Sequence, residues 1–174
     1  GFKPVFVDVK RETLNIDPEK IEAAITERTR AIMPVHLMGK PAEMDAIMAI
    51  AKKHKLLVIE DTAEAHGALY HGRLAGTIGD MGAFSLYAAH IITSIEGGMV
   101  ITNDPKKAEA LRSLRNHGMV NKFDFERIGF SAKMNEIEAA VGLGNIRIFR
   151  DIFEKRRRNL LYLIERFKGF EDYF

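Results

Sequence analysis

Short apolar runs alternate with amphipathic stretches along the first 60 residues. The runs at 4–9, 31–35 and 56–59 are rich in β-branched and other apolar residues, which predicts strands. Residues 18–27 and 41–51 carry apolar side chains at helical spacing, which predicts helices between those strands. Strands that alternate with helices form parallel sheets, so the pattern predicts an α/β fold. The third run lacks polar alternation, and we expect it to be covered on both faces.

Glycine interrupts this pattern at five positions between residues 67 and 82, where we expect loops. Two further strands are predicted at 83–86 and 99–102. The sequence after them predicts three helices: one that starts at Pro105, one over residues 136–146 and one over residues 152–167.

Composition supports one folded domain. The 174 residues are 47% hydrophobic and 29% charged, which excludes disorder and collagen-like structure. The longest apolar stretch, residues 83–92, is interrupted by Ser85 and His90 and is much shorter than the roughly 18 residues of a membrane span. Cysteine is absent, which excludes a disulfide framework and a thiol nucleophile. We therefore expect a cytoplasmic protein with no membrane partner.

Charge adds little to this picture. The formal net charge is +2, and the one basic run, residues 155–158, is typical of a solvated helix face. A nucleic-acid partner is not expected.

Polar residues after the apolar runs are the first candidates for chemistry, because ligands of open α/β sheets bind beyond the carboxyl ends of the strands. Asp61 directly follows the third run, and Glu64 and His66 lie within the next five positions. The alternative is that Asp61 caps the start of a helix.

A second cluster lies at residues 82–98. Ser85 is a candidate phosphate-binding hydroxyl, and His90 and the pair Gly97 and Gly98 follow it. The alternative is a strand, a loop and a tight hairpin without ligand.

An ordered set of motifs connects the two clusters: PVHLMG at 34–39, VIEDTAEAHGA at 58–68, GAFS at 82–85, EGGMV at 96–100 and LRNHG at 114–118. Together they resemble the DegT/DnrJ/StrS-type sugar aminotransferase family, which uses pyridoxal phosphate on the aspartate aminotransferase fold, fold type I. The resemblance implies the central part of a three-layer αβα large domain, with a mainly parallel sheet. Residues 1–150 would be a partial cofactor-binding domain. Residues 151–174 would begin the helix that leads to a small C-terminal domain outside this chain.

The resemblance also assigns cofactor roles. It places Asp61 beside the pyridine nitrogen, Glu64 near the phenolic oxygen and Ser85 on the phosphate of pyridoxal or pyridoxamine phosphate. Ser131 stands where the family has an asparagine that reaches the phosphate from the neighbouring subunit. The resemblance therefore implies a homodimer with a shared active site.

His90 departs from the family pattern. It occupies the position of the lysine that holds the cofactor as a Schiff base, and an imidazole can act only as an acid or base there. This is similar to sugar 3-dehydratases such as GDP-4-keto-6-deoxymannose 3-dehydratase. The implied reaction uses pyridoxamine phosphate and a nucleotide-linked 4-keto sugar: His90 removes a proton, the C3 hydroxyl leaves, and a reductive partner or amino donor regenerates the cofactor. Ile91 and Ile95 replace residues usual in the dehydratases, so the sugar stays open.

Three other functions remain in view. The first is ordinary transamination, which the absence of the family's Schiff-base lysine disfavours. The second is a non-catalytic regulator that uses the basic C-terminal helix. The third is a metal hydrolase in which His66, His71 and His90 join Asp61 or Glu64 around zinc. The histidines lack a familiar ligand spacing, and we assign no metal ligands.

Overall fold

A computed structural model describes residues 1–170. Its helices are α1 (Pro18–Ala24), α2 (Met44–His54), α3 (Pro105–Arg115) and α4 (Glu136–Arg166), with a 3-10 turn at Leu37–Gly39. Its strands are β1 (Ala31–Ile32), β2 (Leu57–Asp61), β3 (Leu69–Tyr70), β4 (Arg73–Leu74), β5 (Met81–Ser85), β6 (Gly98–Ile101), β7 (Met119–Asn121) and β8 (Asp124–Phe125).

The main sheet has the strand order β1-β2-β5-β6. The pairs β1-β2 and β2-β5 are parallel and β5-β6 is antiparallel, while β3-β4 and β7-β8 form separate hairpins. This mixed, mostly parallel sheet flanked by helices confirms the predicted α/β class. Since β2 and β5 run side by side in the same direction, the residues that follow them emerge at one edge of the sheet.

Helix α2 packs on β1 and β2 and covers the centre of the core. Met44 and Ile47 on this helix and Val58 on β2 are all completely buried. Helix α1 begins as predicted: Asp17 caps it by accepting a hydrogen bond from the N–H of Glu19 at 3.1 Å, and proline follows at the first helical position.

Two strand predictions are wrong. Residues 4–9 form no strand; only Val9 pairs, in a single bridge to Ile16, and Phe6 is 93% exposed. An apolar run becomes a strand only where a neighbour completes its backbone hydrogen bonds. The β2 strand is not covered on both faces, because Leu57 is 40% exposed while the adjacent Val58 is fully buried.

The two helices predicted at 136–146 and 152–167 are one helix, α4, of 31 residues. Asn135 and Glu138 form a capping box at its start. The predicted division between residues 150 and 151 falls inside this helix, and the small domain beyond it stays a prediction; residues 171–174 lie outside the described part. The basic run at 155–158 is exposed, as expected. Within residues 1–170, no helix combines the length and the apolar character needed to cross a membrane.

Candidate active site

The ends of β2 and β5 bring two predicted site residues to the same edge of the sheet. Asp61, the last residue of β2, is paired with Ala83 of β5, and Ser85 ends β5 two residues later. The N–H of Thr62 donates to the carbonyl of Ala83 at 2.8 Å, which extends the pairing past the end of β2. The strand pairing therefore brings residues from both sequence clusters to one edge of the sheet.

Asp61 does not cap a helix. Its Oδ1 atom accepts a hydrogen bond from the N–H of Ala63 at 3.1 Å, and residues 62–67 form turns. The other carboxylate oxygen, Oδ2, has no hydrogen-bond partner among residues 1–170. The alternative of a helix N-cap is therefore wrong, and half of the carboxylate is available to a donor.

Glu64 is held by the 3-10 turn at Leu37–Gly39. Its Oε2 atom accepts a hydrogen bond from the backbone N–H of Met38 at 2.6 Å, although the residue as a whole is exposed. The Oε1 atom has no hydrogen-bond partner within the described residues. Glu64 therefore has a fixed carboxylate with one oxygen open to a ligand.

Ser85 has a hydroxyl whose hydrogen is free. Its Oγ atom accepts a hydrogen bond from the N–H of Tyr87 at 3.2 Å, and the hydroxyl donates to no other group in the described part of the chain. The neighbouring strand β6 approaches closely, because Gly98 pairs with Ser85. A Cβ atom on Gly98 would lie 2.8 Å from the carbonyl oxygen of Phe84. An anionic group beyond the end of β5 would find a donor in this hydroxyl.

His90 lies in a closed loop directly after β5. Its N–H donates to the carbonyl of Tyr87 at 3.0 Å, and the two rings meet edge to face with centroids 6.1 Å apart. The loop returns to the sheet through Ser94, whose N–H donates to the carbonyl of Leu86 at 2.8 Å. This closure keeps the half-buried His90 near the end of β5.

Ser131 lies in a different segment of the chain, after α3. It is exposed and bridges Asn116 in an extended segment, where the N–H of the next residue, Ala132, donates to Arg115 at the end of α3. No hydrogen bond within residues 1–170 links Ser131 to Asp61, Ser85 or His90. Within one chain Ser131 is therefore tied by its described backbone contacts to the segment after α3, and its role across a dimer stays a prediction.

His66 is buried at 3% exposure beside this edge, and neither ring nitrogen has a hydrogen-bond partner in the described structure. Burial lowers the pKa of His66, and the charge of His90 lowers it further. His66 is therefore neutral at pH 7. Among the residues that the structure describes, no three His, Asp or Glu side chains are grouped closely enough to hold a metal ion.

A buried pair that the sequence did not indicate lies directly behind the site. Glu60 and His36 are both completely buried, and His36 Nε2 lies 2.9 Å from Glu60 Oε2. Glu60 Oε2 also accepts from the N–H of Gly76 at 2.7 Å, and Oε1 accepts from those of Ile78 and Gly79 at 2.7 and 2.6 Å. Each carboxylate oxygen thus receives two donors. The only sequence signal was a carboxylate at the end of a buried apolar run.

The hydrogen bonds fix the charge state of this pair. Burial by itself raises the pKa of Glu60, but the donors from His36 and the three amides outweigh it and hold the pKa below its usual value. His36 Nδ1 accepts from the N–H of Ala42 at 3.0 Å, so we assign the ring proton to Nε2, which donates to Glu60. The pair is an ionised carboxylate bound by an imidazole of defined orientation.

Comparison with known proteins extends these observations. Residues 1–173 match the model of the DegT/DnrJ/EryC1/StrS aminotransferase family. GDP-perosamine synthase of Caulobacter vibrioides is 48% identical over 148 residues, which are 84% of this chain and 40% of that protein. The chain thus spans less than half of this curated relative.

Two solved structures have the same fold. An aminotransferase from Psychrobacter cryohalolentis superposes with a TM-score of 0.91 and 38% identity, covering 99% of this chain and 47% of that one. The E. coli GDP-4-keto-6-deoxy-D-mannose-3-dehydratase with bound hydrated PLP superposes with a TM-score of 0.85 and 32% identity. The match covers 94% of this chain and 47% of that one. The strand-end site and these similarities agree with the motifs in the sequence, and the chain belongs to the DegT/DnrJ/EryC1/StrS aminotransferase family.

Proposed function

We propose that this chain forms the cofactor-binding part of an enzyme that removes the C3 hydroxyl from a nucleotide-linked 4-keto-6-deoxy sugar with the help of pyridoxamine phosphate. His90 is the observation that carries the proposal. It lies five residues after Ser85, at the family's lysine position, in the loop that closes on the end of β5. An imidazole there can move a proton but cannot form a covalent link to the cofactor. The proteins of similar structure include this E. coli dehydratase as well as aminotransferases, so the proposal rests on His90.

The residues at the strand ends fit such a cofactor. Asp61 has a carboxylate oxygen without a partner in the described residues, suited to accept from a protonated pyridine nitrogen, and Ser85 has a free hydroxyl hydrogen for a phosphate oxygen. The open oxygen of Glu64 suits the phenolic group. We further propose that Ser131 completes the phosphate contacts from a second copy in a homodimer.

The bound cofactor would supply an amino group and a pyridinium ring that accepts an electron pair. Asp61 keeps the pyridine nitrogen protonated by its negative charge. His90 would take the proton from the aminomethyl carbon and pass it to the departing C3 hydroxyl, which would leave the sugar as water. In the balance, the aminomethyl carbon of the cofactor would be oxidised by two electrons to the aldehyde level. C3 of the sugar would exchange its C–O bond for a C–H bond with a proton from water, and hydrolysis would release the amino group as ammonium. An amino acid, acting as the amino donor, restores the amine form in a separate half-reaction.

Transamination of a nucleotide-linked keto sugar is the second candidate. It is supported by the family description and by the aminotransferase of similar structure. It requires the amino group to be transferred to the sugar without the lysine, so His90 would have to do all of the proton transfers. The cytoplasm remains the predicted location for either activity.

Incubation of the purified protein with pyridoxamine phosphate and GDP-4-keto-6-deoxymannose tests the proposal. We expect a 3,6-dideoxy product and release of ammonium, with turnover lost in His90→Asn. The matched control is His71→Asn, because the His71 side chain is exposed and lies outside the site. Unchanged turnover in His90→Asn would contradict the assigned base, and a 4-amino sugar as product would establish transamination instead.

A further inference from the structure

Glu64 depends on a strained turn for its position. The N–H that binds its carboxylate belongs to Met38, which has a φ of +52°, a conformation that non-glycine residues rarely adopt. Gly39 follows at +81°, and a Cβ atom there would lie 3.3 Å from the carbonyl oxygen of Glu64. A turn with this backbone persists only when its surroundings hold it in place.

Two buried side chains hold this turn from its two ends. Asn15, which is 4% exposed, accepts from the N–H of Leu37 at 3.0 Å and donates to the carbonyl of Lys40 at 2.8 Å. His36 comes directly before the turn, and its ring binds the Glu60 carboxylate. The turn is therefore fastened to the chain at both sides of Met38.

The same residues hold Asp61. The N–H of His36 donates to the carbonyl of Asp61 at 3.0 Å, and the N–H of Asp61 donates to the carbonyl of Pro34 at 2.9 Å. Glu60 precedes Asp61 in β2 and faces the opposite side of the strand, since successive side chains alternate. Both candidate cofactor carboxylates thus connect to one buried pair.

We propose that Glu60 and His36 are positioning residues, which hold the turn at Leu37–Gly39 and the end of β2 so that Glu64 and Asp61 face the bound cofactor. This inference rests on the proposed function, because it assumes that pyridoxal or pyridoxamine phosphate binds at these strand ends. Neither residue of the pair touches the cofactor in this arrangement. Their effect is transmitted through Met38 and through the backbone of Asp61.

The hydrogen-bond pattern explains why the pair must be a carboxylate and an imidazole. All four groups that face Glu60 are donors, so an amide at this position would place its NH₂ group against two of them. His36 must accept from Ala42 and donate to Glu60 at the same time, which its neutral ring does. Leucine at position 36 would leave one donor missing from Glu60 and the N–H of Ala42 without its acceptor.

Binding of pyridoxamine phosphate to the purified protein tests this inference. We expect His36→Leu to weaken affinity by about 10–100-fold, because small displacements of positioned groups have effects of that size. We expect His36→Gln, which keeps a donor for Glu60, to restore most of the affinity. The control is Ile21→Ala, a core truncation in α1 that also lowers stability; no hydrogen bond within residues 1–170 joins Ile21 to the turn or the pair. It should leave affinity unchanged.

A double-mutant cycle separates positioning from general destabilisation. Glu64→Gln should shift the absorbance of bound pyridoxal phosphate, and His36→Leu should cause the same shift. The double variant should show no further change, since both substitutions remove the same contact between the Glu64 carboxylate and the cofactor. If His36→Leu does not fold, Glu60→Gln carries the same test from the other residue of the pair.

The outcomes distinguish the two proposals. If the unaltered protein binds neither form of the cofactor, the proposed function fails and this inference fails with it. If the unaltered protein binds the cofactor while His36→Leu keeps full affinity, or while the His36 and Glu64 effects add independently, the positioning role is overturned and the proposed function stands.

Discussion

The ring of His66 packs against that of Phe84 with centroids 5.4 Å apart and a tilt of 52°. Both ring nitrogens of His66 are buried without a hydrogen-bond partner among residues 1–170. The imidazole therefore occupies a place suited to an apolar side chain, at a cost in hydration that nothing in the described structure offsets.

Replacement of His66 by leucine should stabilise the protein by about 1 kcal/mol, because it removes two unsatisfied polar atoms from the core. It should also remove a pH dependence. The folded pKa of His66 is lowered from 6.5, so the unfolded chain binds its proton more tightly, and stability falls as the pH drops below 6.5 towards the folded pKa.

Urea unfolding between pH 5 and 8 measures both effects. His71→Leu is the control, since its exposed side chain should change stability by less than about 0.5 kcal/mol. A His66→Leu protein that keeps the full pH slope would show that another group causes it.

Replacement of His90 by lysine should give the protein a new absorbance band with pyridoxal phosphate, because a primary amine then lies in the loop that closes after β5. The unaltered protein should show no such band, and borohydride should fix the cofactor only in the variant. Tyr87→Phe serves as a control in the same loop. A covalent link in the unaltered protein would mean that another lysine reaches the site.

Asp61→Asn should reduce turnover by about 100-fold or more, since the charge beside the pyridine nitrogen is lost while the turn is kept. The amide oxygen can still accept from the N–H of Ala63, so the melting temperature should stay close to that of the unaltered protein. Asp104→Asn, a substitution at the cap of α3, is the matched control and should keep full activity. Equal turnover in the two variants would argue against the assigned role of Asp61.

Gly82→Ala should destabilise the protein by about 3 kcal/mol or more. A Cβ atom at this position in β5 would overlap the carbonyl oxygen of Gly76 and lie 2.6 Å from its Cα atom. Gly144 in α4 is the contrasting site, because in the described structure a Cβ atom there meets nothing within 4 Å apart from the adjoining backbone of its own helix. Gly144→Ala should stabilise the helix by about 0.5–1 kcal/mol, and thermal unfolding compares the two variants directly.

The sequence predicted much of the fold because local pattern and tertiary structure agree there. The strands β2, β5 and β6 lie within a few residues of their predicted positions, and Asp17 and Pro18 begin α1 as expected. The prediction failed at α4, which was divided in two. Residues 147–151 contain neither proline nor glycine, and the helix continues through them. It also failed at residues 4–9, which have high β propensity but pair with no neighbouring strand in the described structure.

The alternation of strands and helices determined by itself the α/β class and the place of Asp61 directly after a strand. The pairing of β2 with β5, which brings Asp61 and Ser85 to one edge of the sheet, belongs to the tertiary structure. Only the tertiary structure decided what holds this edge. The partners in the pair of His36 and Glu60 are 24 residues apart, and those in the contact of Met38 with Glu64 are 26 apart. Periodicity reports which face of an element is buried, whereas a hydrogen bond between distant segments depends on how closely the folded elements approach one another.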